Sequence, residues 1–140
     1  MSNPTETYVR HLNPDGLSKN RAFSQVIVVS GSTKTVYVGG QDAMDGSGNI
    51  VGKGDIKKQA EQVLQNLQIA LSAADAKIEH IVKWNVYIVQ GQSLQAGFEA
   101  FQKAWGMRPN PPTIAVLFVA ALANPDFLIE MDAIAVVPDR

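Results

Sequence analysis

The stretch that most narrows what this chain can fold into is TIAVLFVAA, residues 113–121, which is apolar on both faces if extended. Such a strand has to be covered on both sides. The cover available within the chain is two helices. From Asp55, a good N-cap, apolar residues fall at Ile56, Ala60, Val63, Leu67, Leu71 and Ala74, the stripe of an amphipathic helix about five turns long. Residues 93–105 set Leu94, Phe98, Phe101 and Trp105 at i, i+4, i+7 and i+11, and GMRPNPP ends that helix. On this spacing Phe98 belongs to a core-facing stripe. Both helices fall on one side of the sheet if the crossovers are right-handed, so the other side is expected to meet another copy of the chain. Composition agrees, since 18% of residues are charged where about 25% is ordinary.

The remaining elements follow from shorter patterns. SQVIVVSG and KTVYVGGQ predict two antiparallel strands, residues 25–29 and 35–38, separated by GSTK. DGSGN is a glycine-rich turn whose spacing opens no helix, so it is not a phosphate loop. IVKWNVYIV alternates, with Val82, Trp84, Val86 and Ile88 on one face and Lys83, Asn85 and Tyr87 on the other. FLIEMDAIAVV, residues 127–137, predicts a last strand. The order is ββαβαββ, an α+β (α/β) arrangement with a mixed sheet and two helices on one face. A chain of 140 residues is expected to form one domain, residues 1–140.

Several classes of function are disfavoured. Net charge is -1 with 12 Lys plus Arg and no basic run, so neither a nucleic acid nor an anionic membrane is an expected partner. Cysteine is absent and the two histidines, His11 and His80, are too few for a histidine metal site. No metal and no cofactor is expected. MSNPTETYVR carries no apolar signal segment, and no stretch approaches the roughly 20 apolar residues of a membrane span. A cytoplasmic protein is the expectation, and His80 is read as structural or exposed.

The last strand poses a question. Glu130 and Asp132 stand two apart among apolar residues, and a carboxylate is costly to bury without a partner. A cation is the natural partner to look for.

Six short matches, in order, resemble one family. FSQ (residues 23–25), GGQ (39–41), QAEQVLQNLQIAL, the pair Val82 and Lys83, Pro111, and EMDAIA (130–135) are similar to motifs of the Rid (YjgF-like) reactive-intermediate deaminases. The resemblance implies a chorismate-mutase-like fold, a homotrimer, and small-molecule sites in the clefts between subunits. It implies that Glu130 matches the glutamate that positions the attacking water, and that Phe23, Gly39, Gly40, Phe98, Thr113 and Ala115 line the ligand. In deaminating members an arginine binds the substrate carboxylate where this chain has Thr113. Phe23 further replaces a tyrosine, Gly39 a serine, and Phe98 an asparagine.

The cation is therefore missing where the resemblance would put it. Arg21 and Arg108 are the candidate replacements, against the plainer reading that each is a solvated surface arginine. Without an arginine, burial and the like charge of Asp132 favour a protonated carboxyl at Glu130, a usable general acid or base. The alternative is that Glu130 and Asp132 face a solvated seam, or accept hydrogen bonds from backbone and Lys83. Two functional readings stay open: hydrolysis of an imine, enamine or related C–N bond lacking a carboxylate, and non-enzymatic binding of a metabolite in the same cleft. An endoribonuclease or translation-inhibitor role is the least compatible with the charge.

Overall fold

The computed structural model describes residues 8–139; the expectations placed on residues 1–7 and 140 lie outside them. A four-stranded mixed sheet carries the fold, in the order β3-β6-β4-β5. Its strands are β3 (Thr33–Gln41), β4 (Ile81–Val89), β5 (Thr113–Val119) and β6 (Ile129–Pro138). β6 is antiparallel to both β3 and β4, and β5 is parallel to β4. The helices are α1 (Ile56–Ala73), which links β3 to β4, and α2 (Leu94–Trp105), which links β4 to β5. Both crossovers step the same way across the sheet, so right-handed connections place both helices on one face.

Local chemistry sets the helix ends. Asp55 caps α1 by accepting from the Lys58 N–H at 3.1 Å, and Ser93 caps α2 by accepting from the Ala96 N–H at 3.3 Å. Gly106, at φ 68°, closes α2. The apolar stripe of α1 (Ala60, Val63, Leu64, Leu67, Leu71) packs on Trp84, Ile88, Ile129, Met131, Ala133 and Ala135, all buried. One polar residue shares that face. Gln59 is fully buried, donates to the Gly52 and Asp126 carbonyls at 3.0 and 2.9 Å, and accepts from the Leu128 N–H at 2.8 Å. It ties two loops to the helix with both ends of its amide satisfied.

Three expectations need correction. The two early strands exist, as β2 (Val26–Ser30) and β3, but they do not pair with each other. β2 pairs antiparallel with β1 (Tyr8–Leu12), a strand the sequence reading missed, and the chain bends at Gly31 (φ 91°) before β3 joins β6. The reason is burial: Val36 and Val38 bring β3 into the core, whereas β2 stays alternately exposed and half-exposed. β5 ends at Val119 rather than 121. As expected, its own chain does not cover it on both sides: it is an edge strand, with Val116, Leu117 and Phe118 at 45, 47 and 48% exposure. Finally, Phe98 does not lie in the core but is 38% exposed.

Candidate functional site: a carboxyl pair on the open face

Strand alternation puts Glu130 and Asp132 on the sheet face away from the helices, beside Asn85 and Tyr87 of β4. Asn85 lies directly opposite Asp132, and Tyr87 directly opposite Glu130. Asp132 is held by neutral donors: Asn85 Nδ2 donates to Oδ1 at 2.7 Å and the Tyr87 hydroxyl to Oδ2 at 3.0 Å. The Tyr87 phenol is pushed above its usual pKa chiefly by that bond, helped by burial and the Asp132 and Glu130 charges. Lys83, an expected donor, is exposed and takes no part in these bonds.

Glu130 meets another acid. Its carboxyl lies against the β3 bulge at residues 39–40, so close that a Cβ on Gly40 would sit 2.7 Å from Oε2. Just past the bulge is Asp42, whose carboxyl stands close enough to that of Glu130 for the two to interact. Asp42 Oδ1 is buried and has no N–H or O–H to accept from. Two carboxyl groups can share a hydrogen bond only if one holds a proton. Burial, then the bond to Glu130 and its charge, raise Asp42 from 3.8 to about 7. Among the described residues the ion pairs are Lys19–Asp15, Lys53–Asp126 and Arg108–Glu79, and none involves Glu130, Asp132 or Asp42. What stands against Glu130 is therefore the Asp42 carboxyl and not a cation of the described residues.

The other sequence-nominated residues divide between this face and the opposite one. Thr113 begins β5 beside Lys83, and its hydroxyl donates to the Val82 carbonyl at 2.6 Å. It therefore bridges two strands. Ala115 follows on the same face, half-buried, and Gly39 is exposed with open space around its Cα. Phe23 and Phe98 instead line an apolar cleft of about 340 Å³ between α2 and the helix-facing side of β4 and β5. Arg21 and Arg108 line a separate cleft of about 620 Å³ with His11 and Lys19. Arg108 is engaged there, 3.0 Å from Glu79 and donating to the Ala104 and Trp105 carbonyls at 3.2 and 2.7 Å. It closes the end of α2, a favourable place for a cation. His80 accepts from the Lys77 N–H at 2.9 Å, the structural role expected of it.

His11 has a role the sequence did not signal. Its Nδ1 lies 3.0 Å from Ser24 Oγ, which donates to the Pro111 carbonyl at 2.5 Å, so β1 is tied to the approach to β5. Desolvation lowers its pKa, partly offset by the Pro111 carbonyl. Asp42 was missed because only the β3–β6 register brings it beside Glu130; Asn85 and Tyr87 were visible as the polar face of their strand.

The chain matches the family model Endoribonuclease L-PSP over residues 15–137. It is 34% identical to a RutC family protein of Pyrococcus abyssi over 81% of this chain and 84% of that one. It is 33% identical to the 2-iminobutanoate/2-iminopropanoate deaminase of Rattus norvegicus over 82% and 80%. A Rid-family protein of unknown function from Yersinia pestis superposes with a TM-score of 0.80 at 29% identity, covering 92% of this chain and 98% of that chain.

Proposed function

From its membership of the Rid (YjgF-like, Endoribonuclease L-PSP) family, we propose that this chain hydrolyses imines or enamines that carry no carboxylate, at a site completed in a homotrimer. The observation that carries the reading is the Asp42–Glu130 pair, two carboxyl groups side by side with the Glu130 end packed against Gly40 and Asp42 Oδ1 buried, where burial and the neighbouring acid favour a proton on Asp42. Such a pair offers a base and an acid together. In the reaction, Glu130 takes a proton from water as the oxygen adds to the imine carbon. The C=N electron pair moves onto nitrogen, which takes a proton from the pair. A second proton transfer expels ammonia and leaves the carbonyl product, so that one imine and one water give one carbonyl and one ammonia. The chemistry calls for no metal or cofactor.

Substrate choice follows from charge. Where deaminating relatives place an arginine, Thr113 has its hydroxyl committed to the Val82 carbonyl, and the cation beside it, the exposed Lys83, lacks the planar fork that grips a carboxylate with two bonds. A lost charge-assisted contact is worth roughly 1.5–3 kcal/mol, about a tenfold to hundredfold penalty for amino-acid-derived imines. The trimer reading is supported by the exposed apolar residues of β5, and a stable monomer in light scattering would overturn the shared-cleft part of it. A role on RNA has no support in the charge: the open face carries Glu130 and Asp132 beside a lone Lys83 rather than a basic stripe.

The test is hydrolysis of imines generated in situ by an amino-acid oxidase, with semicarbazide trapping what remains. The parent is expected to be slow, Thr113→Arg to gain at least tenfold, and Glu130→Ala to be inactive in either background. Efficient turnover by the parent that survives Glu130→Ala would refute the assignment.

A further inference from the structure

The cleft of about 620 Å³ between the loop that enters β2 and the loop that leaves α2 is separate from the carboxyl pair, and neither Thr113, Glu130, Asp132 nor Asp42 lines it. Its floor is pinned. Ser24 is buried, its N–H donates to the Pro112 carbonyl at 3.0 Å and its hydroxyl to the Pro111 carbonyl at 2.5 Å, and Nδ1 of His11 on β1 lies 3.0 Å from that hydroxyl oxygen. Two loops and a strand are thereby held in one arrangement before any ligand arrives, which lowers the ordering cost of binding.

Charge is segregated here. Lys19, Arg21 and Arg108 line the cleft and no acidic residue does, in a chain whose 12 Lys and Arg are outnumbered by 13 Asp and Glu. All three cations are exposed. Lys19 pairs with Asp15 at 3.3 Å and Arg108 Nε with Glu79 at 3.0 Å, both acids lying outside the lining. The bonds of Arg108 use Nε and Nη1 and leave Nη2 to spare. Among the described residues the Arg21 guanidinium takes part in no ion pair.

The uncharged polar groups agree with the charges. Asn13 Oδ1 accepts from the Gln25 N–H at 3.0 Å, and Asn20 Oδ1 from the Ala22 N–H at 2.8 Å. With each amide oxygen committed to the backbone, what remains for a ligand is an Nδ2 group carrying two donors. Cations and spare donors thus converge from separate segments while these acceptors are used within the chain. Such a lining suits a negative group made of acceptor oxygens.

We infer that this cleft binds a small phosphate monoester, its phosphate anchored on Arg21 and the Asn20 amide in the field of Lys19 and Arg108, and its organic part lying on Pro109 and Pro111. A phosphate fits better than a carboxylate because its three terminal oxygens and double charge match donors from several segments, whereas a carboxylate is gripped by one planar fork. The volume is that of a small-molecule site rather than of a bare ion. Nucleic acid presents a row of phosphates, and three cations in one cleft form no row.

The test is NMR of the ¹⁵N-labelled full chain at low salt, titrated with phenyl phosphate, inorganic phosphate and benzyl alcohol. Phenyl phosphate is expected to bind saturably and to shift residues 19–21 and 108–110 together with the Asn13 and Asn20 side-chain amides. Inorganic phosphate is expected to shift the same residues with about 3- to 10-fold weaker affinity, since it lacks the apolar contact, and benzyl alcohol to shift none. Asn20→Asp keeps the oxygen that accepts from the Ala22 N–H but replaces the spare donor with a repelling oxygen. It and Arg21→Ala are each expected to weaken phenyl phosphate binding about tenfold or more. Arg10→Ala removes the same charge from an exposed position outside the cleft and is expected to change affinity less than about twofold. The inference is overturned if no saturable shift appears at these residues, or if Asn20→Asp binds like the parent. It is equally overturned if Arg10→Ala loses as much as Arg21→Ala, which would mean general surface charge, or if inorganic phosphate binds as tightly as the ester, which would mean an adventitious ion only.

Discussion

Gly40 and Asp42 decide whether Glu130 has a usable geometry. A methyl group at residue 40 would meet the flexible end of Glu130 at 2.7 Å, and that end can swing away. Gly40→Ala is therefore expected to change stability by less than about 1 kcal/mol in denaturant unfolding while removing most of the hydrolytic activity. Asp42 gives a pH signature. Its pKa is about 7 folded against 3.8 unfolded, so between those values the folded chain holds a proton that the unfolded chain has lost. The residue thus costs no stability below pH 4, and its cost grows as pH rises and is complete above about pH 7. Asp42→Asn is expected to be more stable than the parent at pH 8, the difference in urea midpoint vanishing near pH 4. A constant difference across that range would show that Asp42 and Glu130 do not share a proton. At this scale the sequence was a partial guide. It singled out Glu130 and Asp132 as carboxylates needing partners, and it set Asn85 and Tyr87 on a polar face, but the choice of partners depends on a cross-strand register that no spacing within one segment reveals.

At the scale of elements, the strongly periodic segments were legible. The α1 stripe behind its Asp55 cap, the alternation of β4 and the carboxylate-bearing last strand follow from capping chemistry and from repeats of 3.6 and 2 that packing then obeys. What escaped were features that packing decides. β1 buries too little to leave an alternating signature. Phe98 keeps its place in the i, i+4, i+7 series but overhangs the cleft, because the buried line of α2 runs through Gly97, Ala100 and Trp105 instead. Gln59 is the opposite case, a polar side chain on the buried face whose value lies in the backbone groups of distant loops. Gln59→Leu would remove all three of those bonds, leaving Gly52 its Asp55 N–H partner but taking this one from the Asp126 carbonyl and the Leu128 N–H, and is expected to lower unfolding free energy by about 1–3 kcal/mol, against less than about 0.5 kcal/mol for Gln65→Leu, six residues along on the exposed side. A loss no larger than the control's would mean that water replaces the amide.

Over the whole molecule, the sheet separates two kinds of chemistry. Its helix side holds the core and the aromatic cleft; its open side holds the carboxyl pair and the Asp132 network; the edge strand β5 is apolar toward both, with Val116 and Phe118 on the helix side and Leu117 on the open one. The low charge and the doubly apolar strand pointed to a face that the chain does not cover by itself, and Val116, Leu117 and Phe118 are where that surplus lies. The resemblance led to the same sheet and to the expectation of an arginine near Glu130, and the group that stands beside Glu130 in this chain is Asp42. The most direct measurement is the rate at which the protein hydrolyses a carboxylate-free imine, generated in situ by an amine oxidase, compared with Glu130→Gln. A parent rate well above the uncatalysed reaction and a loss of at least a hundredfold in the variant is the expected result; equal rates for the two proteins would contradict the account.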